Sequence, residues 1–319
     1  MRRVVVDQDI TPTESVRRGL PDDWEVSFGI EGTTEGAVAA LAEADVALVT
    51  SRVPLDRHVV ERVSHVEVVG KLGTGVDNID RAAASDHGIP VTHTPGYNAL
   101  SVAEHTLCLV LATARRLTEA RTILERGGWR DEFTLATRLS GKRVGIVGFG
   151  DIGRRFGSLL GGFDVDVQVA DPYVPEVDAE LVGGSMTSLS DLLATSDVVV
   201  LTTELTPETR GLLGEAELDR MRSSAVLVNT ARGPVVDEDA LVAALESGRI
   251  AGAGLDVFTE EPLGADSRLL DLDTVVTTPH TAAMTRESRV ESIDRLTSNV
   301  VSLVEGRPVD EQFMARPTG

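Results

Sequence analysis

Three side chains in the C-terminal half belong to the types that proton and anion chemistry needs. Arg232 stands just after a strand-like run, in Asn229-Thr-Ala-Arg232-Gly-Pro-Val-Val-Asp-Glu238. A guanidinium there can grip a carboxylate with two parallel N–H donors and polarise a carbonyl. Glu261 follows Asp256 in Gly254-Leu-Asp-Val-Phe-Thr-Glu-Glu-Pro262, and His280 closes Thr277-Thr-Pro-His280 at the end of another such run. Histidine trades a proton near neutral pH, and a neighbouring carboxylate holds its ring and stabilises the imidazolium, as a general acid requires. Singly, Arg232 could pair with Asp237 or Glu238, His280 could be a cap or core histidine, and Glu261 a solvated loop residue. Jointly, at successive strand ends of one sheet, they point to a reaction site.

A glycine turn supplies the partner chemistry. Residues 142–157 read KRVGIVGFGDIGRRFG: an apolar run, then Gly148, Gly150 and Gly153, then a helical pattern. The glycines allow a tight turn and a close approach of backbone to a pyrophosphate, and the helix offers free N–H groups and a positive dipole end. Asp171 ends the next apolar run, 165–170, where a carboxylate can accept hydrogen bonds from ribose hydroxyls. Its charge repels a 2′-phosphate, and Pro172 and Tyr173 follow it with no arginine, so NAD is expected over NADP. The alternative is a purely structural turn.

The elements that must position these groups alternate. Apolar runs recur at 144–147, 165–170, 198–201, 225–229, 252–256 and 275–277, with helical patterns such as 237–246 between them. Such alternation predicts parallel strands with helices on both faces. Residues 3–7, 46–50, 66–69 and 90–93 repeat the style, giving a second, smaller α/β unit without a G-x-G-x-x-G of its own. A helical stretch over 99–120, about 30 Å if continuous, suits a bridge between the units. Another, over 286–305, closes the chain and can return to the first unit.

Composition narrows the class. A length of 319 residues allows two cores. No run approaches the roughly 18 apolar residues of a membrane span and no signal peptide opens the chain, so a cytoplasmic protein without membrane partners is expected. The one cysteine, Cys108, lies in the apolar HTLCLVLA, which reads as a core thiol; it excludes an internal disulfide and argues against a thiolate metal cluster, so no metal is expected. Net charge is −21, the acidic residues are dispersed, and Lys71 and Lys142 are the only lysines. Without a basic stripe, nucleic acid is not an expected partner. Dispersed acidity with scarce lysine suggests a halophilic protein from a high-salt cytoplasm, the alternative being a merely acidic one.

With Gly73-Thr-Gly-Val-Asp-Asn-Ile-Asp80, Thr94-Pro-Gly-Tyr-Asn98 and Ser101-Val-Ala-Glu-His-Thr106 added to the segments above, the chain resembles the D-2-hydroxyacid dehydrogenase family over residues 45–305, and within it the phosphoglycerate dehydrogenases most. The resemblance implies an α/β fold of two doubly wound parallel-sheet domains. In it a Rossmann NAD domain (98–285) is inserted into a flavodoxin-like substrate domain (1–97 plus 286–319). It implies His280 as acid in ketone reduction and base in alcohol oxidation, Glu261 as its partner, and Arg232 on the substrate's carboxylate and carbonyl. It places Gly73, Thr74, Gly75 and Asn98 on the carboxylate. It places Thr74, Gly148, Gly150, Asp151, Ile152, Gly153, Asp171, Thr203, Thr230, Ala231, Arg232, Asp256 and His280 on NAD, with Asp256 orienting the carboxamide. A homodimer is implied as well. Glu204 departs from the family, which usually has proline there and often histidine at the place of Thr202.

The substrate is then a small 2-hydroxy or 2-keto acid. Arg52 and Lys71 could bind the phosphate of 3-phosphoglycerate, although Lys71 replaces an arginine of similar enzymes; alternatively they make only salt bridges. Glyoxylate, hydroxypyruvate or another D-2-hydroxy acid stays open. Glu261 argues against formate dehydrogenases, which pair their histidine with glutamine. An NAD-sensing binding protein like the corepressors of this family is the non-enzymatic alternative. An appended regulatory domain is not expected.

Overall fold

The computed structural model describes residues 1–316. The chain divides into two compact units: Met1–Asn98 joined by the chain from Met284 onward, and Ala99–Ala283.

Within the described residues the first unit holds β1 (Arg3–Val6), β2 (Glu25–Phe28), β3 (Val46–Val49), β4 (Val68–Lys71) and β5 (Val91–His93), all parallel, in the order β2-β1-β3-β4-β5. Strand order reverses between β1 and β3, so the loops that follow these two strands open the crevice where such sheets take ligands. One face, with Val4, Val6, Val46, Leu48 and Val68, packs under Ile293, Leu296 and Val300 of the helix Arg286–Val304. Those three side chains are fully buried, each contributing about 1.5–3 kcal/mol. The other face, with Ala47, Val49, Val69 and Val91, lies under Leu41, Val59, Val60 and Ala83.

The second unit holds β6 (Arg143–Val147), β7 (Asp166–Ala170), β8 (Ser185–Met186), β9 (Val198–Leu201), β10 (Val226–Asn229), β11 (Gly252–Leu255) and β12 (Val275–Thr277). All are parallel, in the order β12-β11-β10-β9-β6-β7-β8, so order reverses between β6 and β9. Val144, Ile146, Val198, Val200, Val226 and Val228 face Leu109, Val110 and Phe156. Val147, Val199, Leu201, Leu227 and Leu255 face Leu192, Leu193, Leu241 and Leu245.

Two expectations are corrected. The helical stretch over 99–120 is two helices of the second unit, Ala99–Ala114 and Leu117–Glu125, because Arg116 turns left-handed with φ 53°. The first helix ends where Thr137 N–H donates to the Ala114 carbonyl at 3.0 Å. Cys108 is exposed: Val102, Thr106, Leu109, Val110 and Thr113 take the buried face, leaving Glu104 and Cys108 outward. Among the described residues no helix is long and apolar enough to cross a membrane.

Candidate active site

The glycine turn follows β6. Gly148 has φ 86°, and a Cβ there would stand 2.6 Å from the Thr203 backbone after β9, so only glycine fits. Gly153 faces the Gly148 carbonyl, which a Cβ would meet at 2.5 Å, and Thr202 Oγ1 donates to that same carbonyl at 2.6 Å. Around Gly150 the space is open: a Cβ would meet nothing within 4 Å. Gly150 caps the helix Asp151–Leu159 without a side-chain acceptor, and Asp151 and Ile152 form its first turn. One glycine thus shapes the turn, one leaves room, and one seats the helix, the division of labour a dinucleotide turn needs. Asp171 accepts the Phe149 N–H at 2.7 Å on one oxygen and the Tyr173 N–H at 2.8 Å on the other. Each oxygen keeps a lone pair for a further donor. Glu204 is exposed beyond β9, its carbonyl accepting the Thr209 hydroxyl at 2.5 Å.

After β10 the chain turns sharply. Asn229 staples that turn, its Oδ1 accepting the Ala231 N–H and its Nδ2 donating to the Arg232 carbonyl, both at 3.0 Å. Thr230 is buried with its hydroxyl 2.8 Å from that of Thr106. Gly233 presses against the chain after β11, where a Cβ would stand 1.9 Å from the Phe258 carbonyl carbon. This contact joins the turn carrying Arg232 to the one carrying Glu261. Glu261 accepts the Phe258 N–H at 3.1 Å and meets His280 Nδ1 at 2.7 Å. Burial works against the Glu261 charge, but the hydrogen bond and charge of His280, the Phe258 N–H and the Arg232 charge outweigh it, so its carboxyl lies below the ordinary value. Arg232, Glu261 and His280, distant in sequence, form one electrostatic group.

The loop carrying His280 is organised by Asp256, which is fully buried at the end of β11. Its Oδ1 accepts Thr278 Oγ1 at 2.6 Å and the Thr281 N–H at 2.9 Å; its Oδ2 accepts the Ala282 N–H at 2.9 Å. Burial again opposes the charge, and His105, Thr278 and the two amides overcome it, holding the carboxyl below its ordinary value. His280 itself has φ 52°. For a side chain other than glycine that conformation costs on the order of 1–3 kcal/mol, held here by the surrounding bonds.

The first unit gathers its own polar loops. Lys71, the last residue of β4, is buried and donates from Nζ to the Leu72 carbonyl at 2.8 Å. Gly73 has φ 106° and donates its N–H to Thr94 Oγ1 at 2.9 Å, and Thr74 Oγ1 donates to Asn98 Oδ1 at 3.1 Å. The loop through Gly73, Thr74 and Gly75 is thereby tied to the one after β5. Arg52 pairs with the fully buried Asp7 and, at 3.3 Å, with Asp9, and donates to the Ile30 carbonyl at 2.5 Å.

Sequence reasoning did not single out Asn229, Gly233, Thr278, His105, Asp7 or Asp9 as site-forming residues. Asn229, Gly233, His105 and Thr278 do sit inside quoted motifs. His105 meets Thr278 across 173 positions, a distance no local pattern reveals.

Residues 107–282 match the family described as "D-isomer specific 2-hydroxyacid dehydrogenase, NAD binding domain". The D-3-phosphoglycerate dehydrogenase of Archaeoglobus fulgidus is 36% identical over 285 residues, which cover 89% of this chain and 54% of that protein. The chain therefore spans about half the length of this relative. Among solved structures, the TT0316 protein from Thermus thermophilus is 34% identical with TM-score 0.88, covering 96% of this chain and 97% of that one. A glyoxylate reductase from Paecilomyes thermophila is 29% identical with TM-score 0.85, covering 97% of each chain.

Proposed function

Because the chain belongs to the D-isomer specific 2-hydroxyacid dehydrogenase family, we propose that it is an NAD-dependent dehydrogenase that interconverts a D-2-hydroxy acid and its 2-keto acid. The observation that carries this reading is the 2.7 Å contact of His280 Nδ1 with Glu261, beside the Arg232 charge. Glu261 fixes the ring and leaves Nε2 to hand a proton to the carbonyl oxygen in reduction, or to take it from the hydroxyl in oxidation. Arg232 holds the substrate carboxylate and polarises the carbonyl.

The residues present fit a dinucleotide: the open space at Gly150, the uncapped N–H groups from Asp151 and Ile152, and the spare lone pairs of Asp171. Gly148, Gly150, Gly153 and the helix that follows would hold the pyrophosphate and Asp171 the ribose. Thr203, Thr230, Ala231 and Asp256 would line the remainder. Bound there, the nicotinamide supplies or accepts the hydride. The Asp171 charge favours NAD over NADP.

For the substrate, the reading extends to Gly73, Thr74, Gly75 and Asn98 as carboxylate contacts and to Arg52 and Lys71 as cations for a distal phosphate, as in 3-phosphoglycerate. One observation favours a smaller substrate such as glyoxylate or hydroxypyruvate: Arg52 already shares its charge with Asp7 and Asp9. Exposed apolar side chains over 117–135, among them Leu117, Leu124, Trp129 and Leu135, support a homodimer. NADH oxidation in high salt against phosphohydroxypyruvate, hydroxypyruvate, glyoxylate and pyruvate tests the proposal. Highest kcat/KM with the phosphorylated acid supports the phosphate reading, highest kcat/KM with glyoxylate or hydroxypyruvate the smaller one, and no turnover of any of the four overturns the activity.

A further inference from the structure

The protons in the network behind His280 can be assigned one by one. Asp256, held ionised by its surroundings, can only accept. Thr278 has one hydroxyl proton and lies 2.6 Å from Asp256 Oδ1, so that proton is committed to the carboxylate. His105 Nε2 lies 2.9 Å from the same Thr278 oxygen and 3.5 Å from Asp256 Oδ1. Facing an oxygen that has no proton left to give and a carboxylate, Nε2 must itself carry a proton. The alternative tautomer would set a nitrogen lone pair against oxygen lone pairs. The bonds therefore run one way, from His105 to Thr278 to Asp256.

That chain ends on the backbone around the proposed acid. Thr281 and Ala282 donate their N–H groups to the two Asp256 oxygens, each at 2.9 Å. The His280 N–H donates to the Asp256 carbonyl at 2.8 Å and the Thr278 carbonyl at 3.0 Å. A left-handed backbone at a histidine persists only where the surroundings hold it, and the holding groups are those which His105 orients. His105 is carried on the helix Ala99–Ala114, whose buried face is pinned to the sheet by Leu109 and Val110.

We propose that His105 is a positioning residue that, as an obligate Nε2–H donor to Thr278 and Asp256, fixes the loop presenting His280. The proposal rests on the reading of His280 as the acid and base. Replacing the donor should leave substrate capture nearly intact while the acid wanders from its productive place, a fault worth about a hundredfold for an ångström of displacement.

His105→Leu removes the donor, whereas His105→Gln returns an N–H to nearly the same point. Expected for His105→Leu are kcat lower by about 10- to 100-fold, KM for the keto acid changed by less than about threefold, and faster amide hydrogen exchange at Thr281 and Ala282 by about tenfold or more. His105→Gln should recover most of both kcat and protection. The proposal is overturned if His105→Leu keeps native exchange and native kcat, or if His105→Gln is as impaired as His105→Leu. Should His105→Leu fail to fold, Thr278→Val cuts the same chain at its next link. Loosened amides with a normal KM then support the proposal, and unchanged amides overturn it. His280→Ala separates the two readings. If it keeps full turnover while His105→Leu loosens the amides, the assignment of His280 fails and the clamp stands.

Discussion

Replacing Glu261 by glutamine tests the proposed proton chemistry most directly, because it keeps shape and removes charge. The amide oxygen can still accept from His280 Nδ1, so the neutral part of the 2.7 Å contact survives and only its charge assistance is lost. A hydrogen bond to a charged group contributes roughly 1.5–3 kcal/mol. The two side chains are 37% and 36% exposed, so solvent screening brings the expected loss to about 1–1.5 kcal/mol. About 1.4 kcal/mol corresponds to a factor of ten in rate. Glu261 is held below its ordinary value, so it keeps its charge well into the acid range. Ketone reduction draws its proton from the His280 ring, whose protonated form the Glu261 charge stabilises. In Glu261→Gln reduction at neutral pH should be about tenfold slower, and the gap should close as pH falls into the acid range where Glu261 itself takes up a proton. Alcohol oxidation needs the neutral ring, which does not depend on the Glu261 charge, so the variant should lose far less in that direction. Steady-state pH profiles of kcat/KM in both directions measure this. An equal loss at every pH in both directions would show that Glu261 only holds geometry, and the electrostatic argument would be wrong.

Three further outcomes are expected. Gly233→Ala should destabilise the second unit by at least about 3 kcal/mol, since its Cβ would meet the Phe258 carbonyl carbon at 1.9 Å, and backbone cannot yield as a side chain can. At roughly 2–4 °C per kcal/mol for a unit of this size, calorimetry should show a fall of about 6–12 °C, and an unshifted transition would refute the contact. Asp171→Ser should raise the NADPH-to-NADH ratio of kcat/KM by about 10- to 100-fold, the scale of removing one charge near a phosphate in partly screened surroundings. An unchanged ratio would place cofactor choice elsewhere. With 51 acidic and 30 basic residues, the folded chain should gain thermal stability steadily from low to multimolar KCl, as screening relieves its self-repulsion. A flat melting temperature would remove the high-salt reading.

What could be read from the residues alone was whatever depends on short spacing. The glycine turn, the runs that became β6, β7, β9 and β10, and the strand-end positions of Arg232, Asp256 and His280 each rest on a few neighbours. Strands without an apolar run escaped. Glu25–Phe28 alternates exposed and half-buried residues at the edge of its sheet, and Ser185–Met186 is only two residues long. Arg116 escaped because its left-handed turn lies inside an otherwise continuous helical pattern. Cys108 misled because the apolar run around it continues onto the outward face of its helix. The staple from Asn229, the pressing of Gly233 on Phe258 and the reach of His105 to Thr278 are tertiary facts, which no window of sequence contains.

The departure of the chain from the first unit at Asn98 and its return at Met284 has a consequence for how the protein is made. When β5 leaves the ribosome, one side of the first sheet still lacks Ile293, Leu296 and Val300, the side chains that will cover Val4, Val6, Val46, Leu48 and Val68. At about 5–20 residues per second, that face has only Ile10, Val16 and Leu20 to cover it for about 10–40 s while the whole second unit is translated. The later-made unit is therefore the earlier one able to close. The first unit must wait, and during that interval its half-covered face is open to a chaperone.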